Sequence, residues 1–277
     1  NGSNVAWVDF ASDIGPGSTD FKEFGEIFRE VHDYGGNAMR LWLHTTGENT
    51  PKFNGDTVTG PGTAAIDDLR RILDSAYHYD IGLMLCLWSF DMLDESRTIA
   101  HRNKRLLTND TLIDLYIKNS LIPMVDSLKD HPGILAWEIF NEPEGMCSDI
   151  PNGGWSDLLH ISVKDVQNFI NQTAGAIHRT HPDAKVTNGA WSFISTTDVD
   201  GYTNHYTDQR LIDAGGDPDG TLDFYTVHYY DWAGTEKSPF LHNASYWELD
   251  KPLVVAEFFP NCTHCGEGND YEILFER

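Results

Sequence analysis

Seven short segments rich in β-branched and apolar residues recur along the 277-residue chain, and longer amphipathic segments separate them. This alternation is typical of repeated βα units around a parallel sheet, because buried parallel strands are apolar throughout and crossover helices are apolar on one face. The predicted strands cover residues 5–10, 38–43, 82–88, 134–140, 185–190, 224–228 and 253–258. The predicted helices cover residues 21–34, 64–79, 110–129, 164–180 and 208–214.

Seven units at this spacing predict an α/β fold, a (β/α)8 TIM barrel whose eighth βα unit is missing from the chain. The alternative is a doubly wound open sheet, which would carry a glycine-rich phosphate turn after its first strand. Residues 13–17 (D-I-G-P-G) lack that spacing and contain a proline. No linker divides the chain, so residues 1–277 are predicted to form one domain, truncated at its C-terminal end. The chain is then a fragment, or a separate C-terminal fragment completes the barrel.

The net charge narrows the range of partners. The chain has 19 Lys and Arg against 43 Asp and Glu, a formal net charge of −24. This charge repels phosphate backbones and anionic lipid headgroups, which disfavours nucleic acid and membranes as partners. An uncharged substrate meets no such penalty. No apolar run approaches the roughly 20 residues that cross a bilayer.

The cysteines and aspartates give weak metal signals. The apolar run around Cys86 predicts a buried free thiol, and the C-T-H-C segment 262–265 leaves a disulfide, a metal half-site and two free thiols open. The aspartates of segment 217–223 lack the spacing of a helix-flanked calcium loop, so a solvated turn is favoured. We expect neither a metal nor a cofactor. The chain has four cysteines, too few for a disulfide scaffold: Cys86, Cys147, Cys262 and Cys265.

Polar residues close several of the predicted strands, where the catalytic side chains of a parallel barrel lie. Period-two alternation predicts that Arg40, Trp42 and His44 share one face of their strand. The same alternation predicts a shared face for Glu138, Phe140 and Glu142. The polar residues at the strand ends are Arg40, Asn141, Glu142, His228, Tyr230 and Glu257.

Two carboxylates, a guanidinium, an imidazole and a phenol would then converge at the barrel mouth. A retaining glycosidase needs this inventory, because one carboxylic acid protonates the leaving oxygen while a second carboxylate, about 5–5.5 Å away, attacks the anomeric carbon. Each residue alone has a simpler explanation. Arg40 could be a structural ion-pair partner of Glu138, and His228 could be a core histidine. Their coincidence at different strand ends favours the catalytic interpretation.

Four motifs resemble clan A glycoside hydrolases, and most of all the β-mannanase-like members of family five. They are G-G-N-A-M-R at 35–40, W-E-I-F-N-E-P-E at 137–144, H-Y-Y at 228–230 and A-E-F at 256–258. The resemblance implies that Glu142 is the acid/base and Glu257 the nucleophile. Glu142 must therefore hold a proton near neutral pH, whereas Glu257 must stay a carboxylate.

The resemblance also implies supporting roles. Asn141 would hydrogen-bond the sugar 2-hydroxyl, and Arg40 would keep the nucleophile ionised. His228 would support the acid/base, and Tyr230 would hydrogen-bond the nucleophile. The chain departs from the family at 87–90, where L-W-S-F replaces a segment with a sugar-contacting histidine, and at the eighth strand, whose tryptophan floor lies beyond the chain.

Aromatic residues near strand ends are predicted to pack against sugar rings, whose C–H faces are apolar. Trp7 and Trp137 lie within predicted strands and are predicted to belong to the core. The predicted substrate-binding residues are His44, Trp88, Trp155, Trp191 and Trp232.

Together these features predict a secreted glycoside hydrolase, a retaining endo-β-1,4-glycanase that acts on a plant-type polysaccharide. The segments R-L-W-L-H, L-W-S-F-D-M and N-E-P-E-G-M resemble β-mannanase-like members, which favours β-mannan as substrate. An endo-β-1,4-glucanase (cellulase) is the first alternative. A catalytically silent carbohydrate-binding barrel is the second.

Overall fold

The chain folds around one parallel sheet. A computed structural model describes residues 2–15, 17–230 and 233–258. The sheet has the order β1-β2-β5-β6-β7-β8-β9, and every neighbouring pair in it is parallel. The strands are β1 (Gly2–Asn4), β2 (Ala38–Thr45), β3 (Lys52–Asn54), β4 (Thr57–Gly60), β5 (Gly82–Ser89), β6 (Ile134–Asn141), β7 (Val186–Ala190), β8 (Tyr225–Tyr229) and β9 (Leu253–Phe258).

Helices connect the parallel strands. A π-helical turn, Ile117–Leu121, joins α4 to α5, so residues 110–128 are helical without a break, close to the predicted helix 110–129. Pro123 lies in the first turn of α5 and has no N–H to donate, and the π turn carries the helix past it. No helix in the described part of the chain has both the length and the apolar composition needed to cross a membrane. The helices are α1 (Phe21–Asp33), α2 (Ala65–His78), α3 (Ala100–Leu107), α4 (Asp110–Tyr116), α5 (Ile122–Leu128), α6 (Val163–Thr180) and α7 (Asp208–Gly215).

These elements confirm the predicted TIM-barrel topology rather than the open doubly wound sheet. Six of the seven predicted strands lie within about one to two residues of observed ones. Helix α3 and the β3–β4 hairpin were not predicted, and they lie in the long connections after β5 and β2. In the described residues β1 pairs only with β2 and β9 only with β8, and no eighth unit is present there.

The first strand is where the prediction was wrong. Strand β1 covers Gly2–Asn4, with Asn4 paired to Arg40, whereas 5–10 was predicted. The Asp13 carboxylate accepts the main-chain N–H groups of residues 8 and 9 at 2.8 and 2.7 Å, which holds that segment in a turn. Trp7 was predicted to be core but is 42% exposed, and its ring contacts that of Trp42 at a centroid distance of 5.0 Å.

Three strand pairs shift register at the end of the barrel that carries the predicted catalytic residues. The shifts lie between residues 42 and 45 of β2, between 138 and 141 of β6, and between 227 and 228 of β8. Such bulges change which face a side chain occupies. Alternation predicted that Phe140 shares the inner face of Glu138. Phe140 instead packs against Phe169 of α6 at a ring distance of 5.1 Å.

Gly189 of β7 illustrates how closely the interior of the barrel is filled. A Cβ atom at this position would overlap the Oε1 atom of Glu138 and lie 2.9 Å from the carbonyl oxygen of Phe140. Glu138 is fully buried, so its carboxylate has no free volume into which it can move. The sheet therefore requires a glycine here.

We predict that Gly189→Ala lowers the free energy of unfolding by about 1–3 kcal/mol, the usual cost of overpacking a filled core. Gly60→Ala is the matched control, because a Cβ at this strand glycine meets nothing within 4 Å. The control should stay within about 0.5 kcal/mol of the wild type. Urea denaturation of the three proteins measures both values, and equal stability of the two variants would contradict the prediction.

Candidate active site

Glu257, at the end of β9, has the environment of a permanently ionised carboxylate. Its Oε1 accepts Arg40 Nη1 at 2.5 Å, and its Oε2 accepts the Tyr230 hydroxyl at 2.8 Å. Burial alone would raise the pKa of Glu257. The charges of His228 and Arg40, with hydrogen bonds from Tyr230 and Arg40, outweigh burial and lower that pKa to about 2.

Arg40 lies beneath Glu257 and joins it to the rest of the barrel interior. Its Nε and Nη2 atoms donate to the two carboxylate oxygens of Glu138 at 2.7 and 2.6 Å, and Nη2 also donates to Asn141 Oδ1 at 2.9 Å. Burial disfavours the charge of Arg40, but the adjacent Glu138 carboxylate raises the pKa of the guanidinium well above its ordinary value. Arg40 is thus both a structural ion-pair partner of Glu138 and a neighbour of Glu257.

Glu142 lies directly after β6 in a left-handed conformation, with φ 46° and ψ 52°. Its N–H donates to Gly189 O at 2.7 Å, which fixes this turn to β7. Its Oε1 is 2.7 Å from Nδ1 of the buried His228. Burial lowers the pKa of His228, but the Glu257 charge and the contact with Glu142 raise it above its ordinary value.

Glu142, His228 and Glu257 each place one donor atom within 4.8 Å of the other two. The two carboxylates are therefore about as close as a retaining glycosidase requires. These atoms could also hold a metal ion, but in the structure each already has a protein partner. Arg40 and Tyr230 hold Glu257, and His228 holds Glu142.

The two carboxylates open into a cavity of 590 Å³ with aromatic walls. Trp155 packs edge-on against Phe90 at 4.6 Å and lies 6.0 Å from Trp191. Trp42 and Phe90 were not predicted as substrate-binding residues, although alternation with Arg40 could have identified Trp42. The residues around the cavity are Trp42, Phe90, Asn141, Glu142, Trp155, Trp191, Tyr230 and Glu257.

His44 and Trp88, both predicted to contact substrate, are buried and are not among the residues that line the cavity. His44 is 2% exposed, its Nδ1 is 2.9 Å from Thr50 Oγ1, and burial lowers its pKa to about 3. Trp88 has no exposed surface and packs between His44 and Tyr116. The register shift after residue 42 turns His44 away from the face of Arg40. Trp232, the remaining predicted substrate contact, lies outside the described residues.

Glu144 was not singled out from the sequence, although it is the last residue of N-E-P-E. It has no exposed surface. Its Oε1 accepts the Tyr206 hydroxyl at 2.5 Å, and its Oε2 accepts the Trp191 N–H at 3.3 Å. Burial raises the pKa of Glu144 to about 7 despite these hydrogen bonds, and the nearby Glu142 charge adds to the increase. The raised pKa follows from the burial of Glu144, and the N-E-P-E motif does not show whether its last residue is buried.

The weaker metal signals have structural explanations where they are described. Asp217 pairs with Arg179 at 2.6 Å, and Asp223 contacts His178 and Lys185 at 3.0 Å each. Cys86 and Cys147 are buried free thiols, as predicted for Cys86. Cys262 and Cys265 lie outside the described residues.

Comparison with known proteins identifies close relatives, although no protein-family model matches. The chain is 36% identical to a mannan endo-1,4-beta-mannosidase of Mytilus edulis, an alignment that spans 100% of this chain and 79% of the relative. A mannan endo-1,4-beta-mannosidase of Cryptopygus antarcticus is 33% identical, over 95% of this chain and 73% of its own length.

A solved structure gives the same relationship. The crystal structure of an endo-1,4-beta-mannanase from Eisenia fetida superposes with a TM-score of 0.87 at 34% identity, covering 96% of this chain and 78% of that one. Identity of this size over nearly the whole chain shows common descent as well as a common fold. The chain belongs to the β-mannanase family of glycoside hydrolases.

Proposed function

We propose that this protein is a retaining endo-β-1,4-mannanase in which Glu257 is the nucleophile and Glu142 the acid/base. The observation that carries the proposal is the contrast between two neighbouring carboxylates. Arg40 and Tyr230 hold Glu257 as an anion, whereas the carboxyl group of Glu142 is paired with the imidazole of His228 and faces the cavity. A nucleophile and a proton donor need this difference. The relatives named as mannan endo-1,4-beta-mannosidases support mannan as substrate.

In the first step, Glu257 Oε attacks the anomeric carbon while the bond to the leaving sugar breaks and Glu142 gives its proton to the leaving oxygen. The product is a glycosyl ester of Glu257. In the second step Glu142, now a carboxylate, takes a proton from water. The water oxygen attacks the anomeric carbon and releases Glu257. The two steps consume one water molecule for each bond cleaved and regenerate both carboxyl groups.

The other polar residues prepare these steps. Asn141 is held with its Oδ1 on Arg40 and its Nδ2 on Ser89 Oγ at 3.3 Å, so its amide has a fixed orientation at the cavity where it meets the sugar 2-hydroxyl. Burial raises the pKa of Tyr230, which keeps its phenol a hydrogen-bond donor to the nucleophile. His228 shares its Nδ1 between Glu142 at 2.7 Å and Glu257 at 3.8 Å, so it stabilises whichever carboxylate is charged.

The cavity walls support a neutral sugar polymer as the partner. Trp155, Phe90 and Trp42 offer aromatic surface for the apolar faces of sugar rings, while the net charge of −24 gives no attraction to an anionic polymer. Secretion remains a prediction from the sequence.

Incubation with β-mannan, glucomannan and carboxymethylcellulose, followed over time by reducing ends and product lengths, tests the proposal. We expect new reducing ends from β-mannan, with oligosaccharides of mixed length appearing first, as internal cleavage produces. Release from carboxymethylcellulose alone would favour the glucanase alternative. A folded protein that binds mannan and releases nothing from any of the three would be the silent carbohydrate-binding barrel.

Substitution of the two carboxylates should separate their roles. We predict that Glu257→Ala abolishes turnover on every substrate, because no other group can form the ester. Glu142→Ala should lower kcat on mannan by about 10²–10⁴, the usual contribution of a general acid. It should retain the first step on aryl mannosides with activated leaving groups, which depart without a proton. Burst kinetics with such a substrate would show this, and wild-type rates in either variant would remove that residue from the mechanism.

The hydrogen bond from Tyr230 to Glu257 gives a prediction with a signed pH effect. The pKa of Glu257 lies near 2, below its ordinary value, so the carboxylate is lost only as the pH falls toward 2. Tyr230→Phe removes one donor to the anion and moves this acidic limb of kcat/KM to higher pH.

We expect kcat/KM of Tyr230→Phe at neutral pH to fall about 10- to 100-fold, since hydrogen bonds to charged groups contribute about 1.5–3 kcal/mol. Tyr229→Phe is the matched control, because it removes a neighbouring hydroxyl that donates to the main-chain oxygen of Gly234. An acidic limb that stays in place in Tyr230→Phe would count against the assigned hydrogen bond.

A further inference from the structure

Glu144 is a buried carboxyl group that the two-step mechanism does not use. It lies two residues after Glu142, on the short helical turn Pro143–Met146, and it has no exposed surface. Its two oxygens receive two neutral donors, the Tyr206 hydroxyl and the main-chain N–H of Trp191. Neither of these two partners is a cation, and a buried carboxyl group held by neutral donors is costly to keep, so its position calls for an explanation.

The turn that contains Glu144 holds both tryptophans on one side of the cavity. Trp155 N–H donates to Gly145 O at 2.8 Å, and its ring lies so close that a Cβ on Gly145 would be 2.7 Å from Trp155 Cε3. Trp191 is held at its main chain by Glu144 and at its indole Nε1 by Ser195 Oγ, at 2.9 Å. The Glu144 carboxylate thus connects the loop after β6, the loop after β7 and the segment of Tyr206 that precedes α7.

We propose that Glu144 is a positioning residue whose carboxylate holds Trp191 against the sugar-binding cavity, so that its ionisation couples glycan binding to pH. The inference rests on the proposed function for the identity of the glycan. A carboxylate offers an acceptor oxygen to each of its two donors. When it is protonated, one oxygen carries the proton, and one of the donors loses part of its hydrogen bond.

The groups that face Glu144 set where this change occurs. Burial raises the pKa of Glu144 to about 7, and Glu142, at the end of β6, adds like-charge repulsion. Tyr206 and Cys147 also face it, and burial raises the pKa of both, so they stay protonated through neutral pH. Glu144 is consequently protonated below about pH 7 and ionised above it. In the ionised state the main-chain N–H of Trp191 has a full carboxylate acceptor in addition to the contact of its indole with Ser195, and we expect this state to bind the glycan more tightly.

A titration without ligand tests the coupling directly. We expect the tryptophan fluorescence of the wild type to change across neutral pH, with a midpoint near the pKa of Glu144. Glu144→Gln should lose this transition, because the amide does not ionise, and it should fold because it removes a buried charge without changing the shape of the side chain. Glu95→Gln, which removes an exposed carboxylate from the loop after β5, should keep the transition.

Mannohexaose kinetics supply the second measurement. For Glu144→Gln at alkaline pH we expect KM to rise about tenfold, with kcat within about threefold of the wild type, since the lost hydrogen bond to a charged group holds a cavity wall and not Glu142 or Glu257. Tyr206→Phe removes a donor to the carboxylate and should move the fluorescence midpoint to higher pH. This variant also tests the inference if Glu144→Gln does not fold.

A folded Glu144→Gln that keeps either the transition or the wild-type KM overturns the inference, and so does an unmoved midpoint in Tyr206→Phe. If the wild type does not cleave mannohexaose, the proposed function fails. The ligand-free titration still decides whether Glu144 controls Trp191.

Discussion

The ion pairs of Arg40 are the interaction on which the rest of the site depends. Its guanidinium is 3% exposed and lies between the carboxylates of Glu138 and Glu257, which are 0% and 10% exposed. Charges at this depth are tolerated only when partners and hydrogen bonds replace water. Arg40 uses donors on three nitrogens, and Asn141 accepts one of them. Removal of the guanidinium would leave two carboxylates facing each other in the barrel interior.

Arg40 carries one positive charge between two carboxylates, which leaves a net negative charge in the interior. The imidazole of His228 offsets this negative charge when it is protonated. Its Nδ1 lies within 4 Å of both Glu142 and Glu257, and their charges keep its pKa above the ordinary value despite complete burial of the ring. Proton transfer during the reaction changes the charge of Glu142, and ester formation neutralises Glu257. A single imidazole between the two can therefore stay close to whichever group is charged without moving, as electrostatic preorganisation requires.

Six of the seven strands, and the polar residues that meet near their ends, could be predicted from the sequence because both follow from local pattern. The apolar run that contains Arg40, and the runs that end in Asn141, Glu142, His228 and Glu257, can be recognised without knowledge of register. The side-chain directions at the strand ends were harder, since a bulge shifts every later residue to the other face. His44 and Phe140 were misplaced for this reason. Likewise, nothing in the local pattern distinguishes the buried Glu144 from a solvated glutamate, because its partners, in the loop after β7 and in the segment of Tyr206, are distant in sequence.

Glu142 shows how the bulges and the chemistry are linked. A glutamate with φ 46° is strained, and residues in such conformations persist only when the surroundings determine them. Here the N–H of Glu142 donates to Gly189 O, and the next residue is Pro143, whose ring fixes its own φ. Gly189 also leaves the space that Glu138 needs to pair with Arg40. One glycine of β7 therefore sets the position of both sides of the reaction, the acid/base through its carbonyl oxygen and the nucleophile through Glu138 and Arg40.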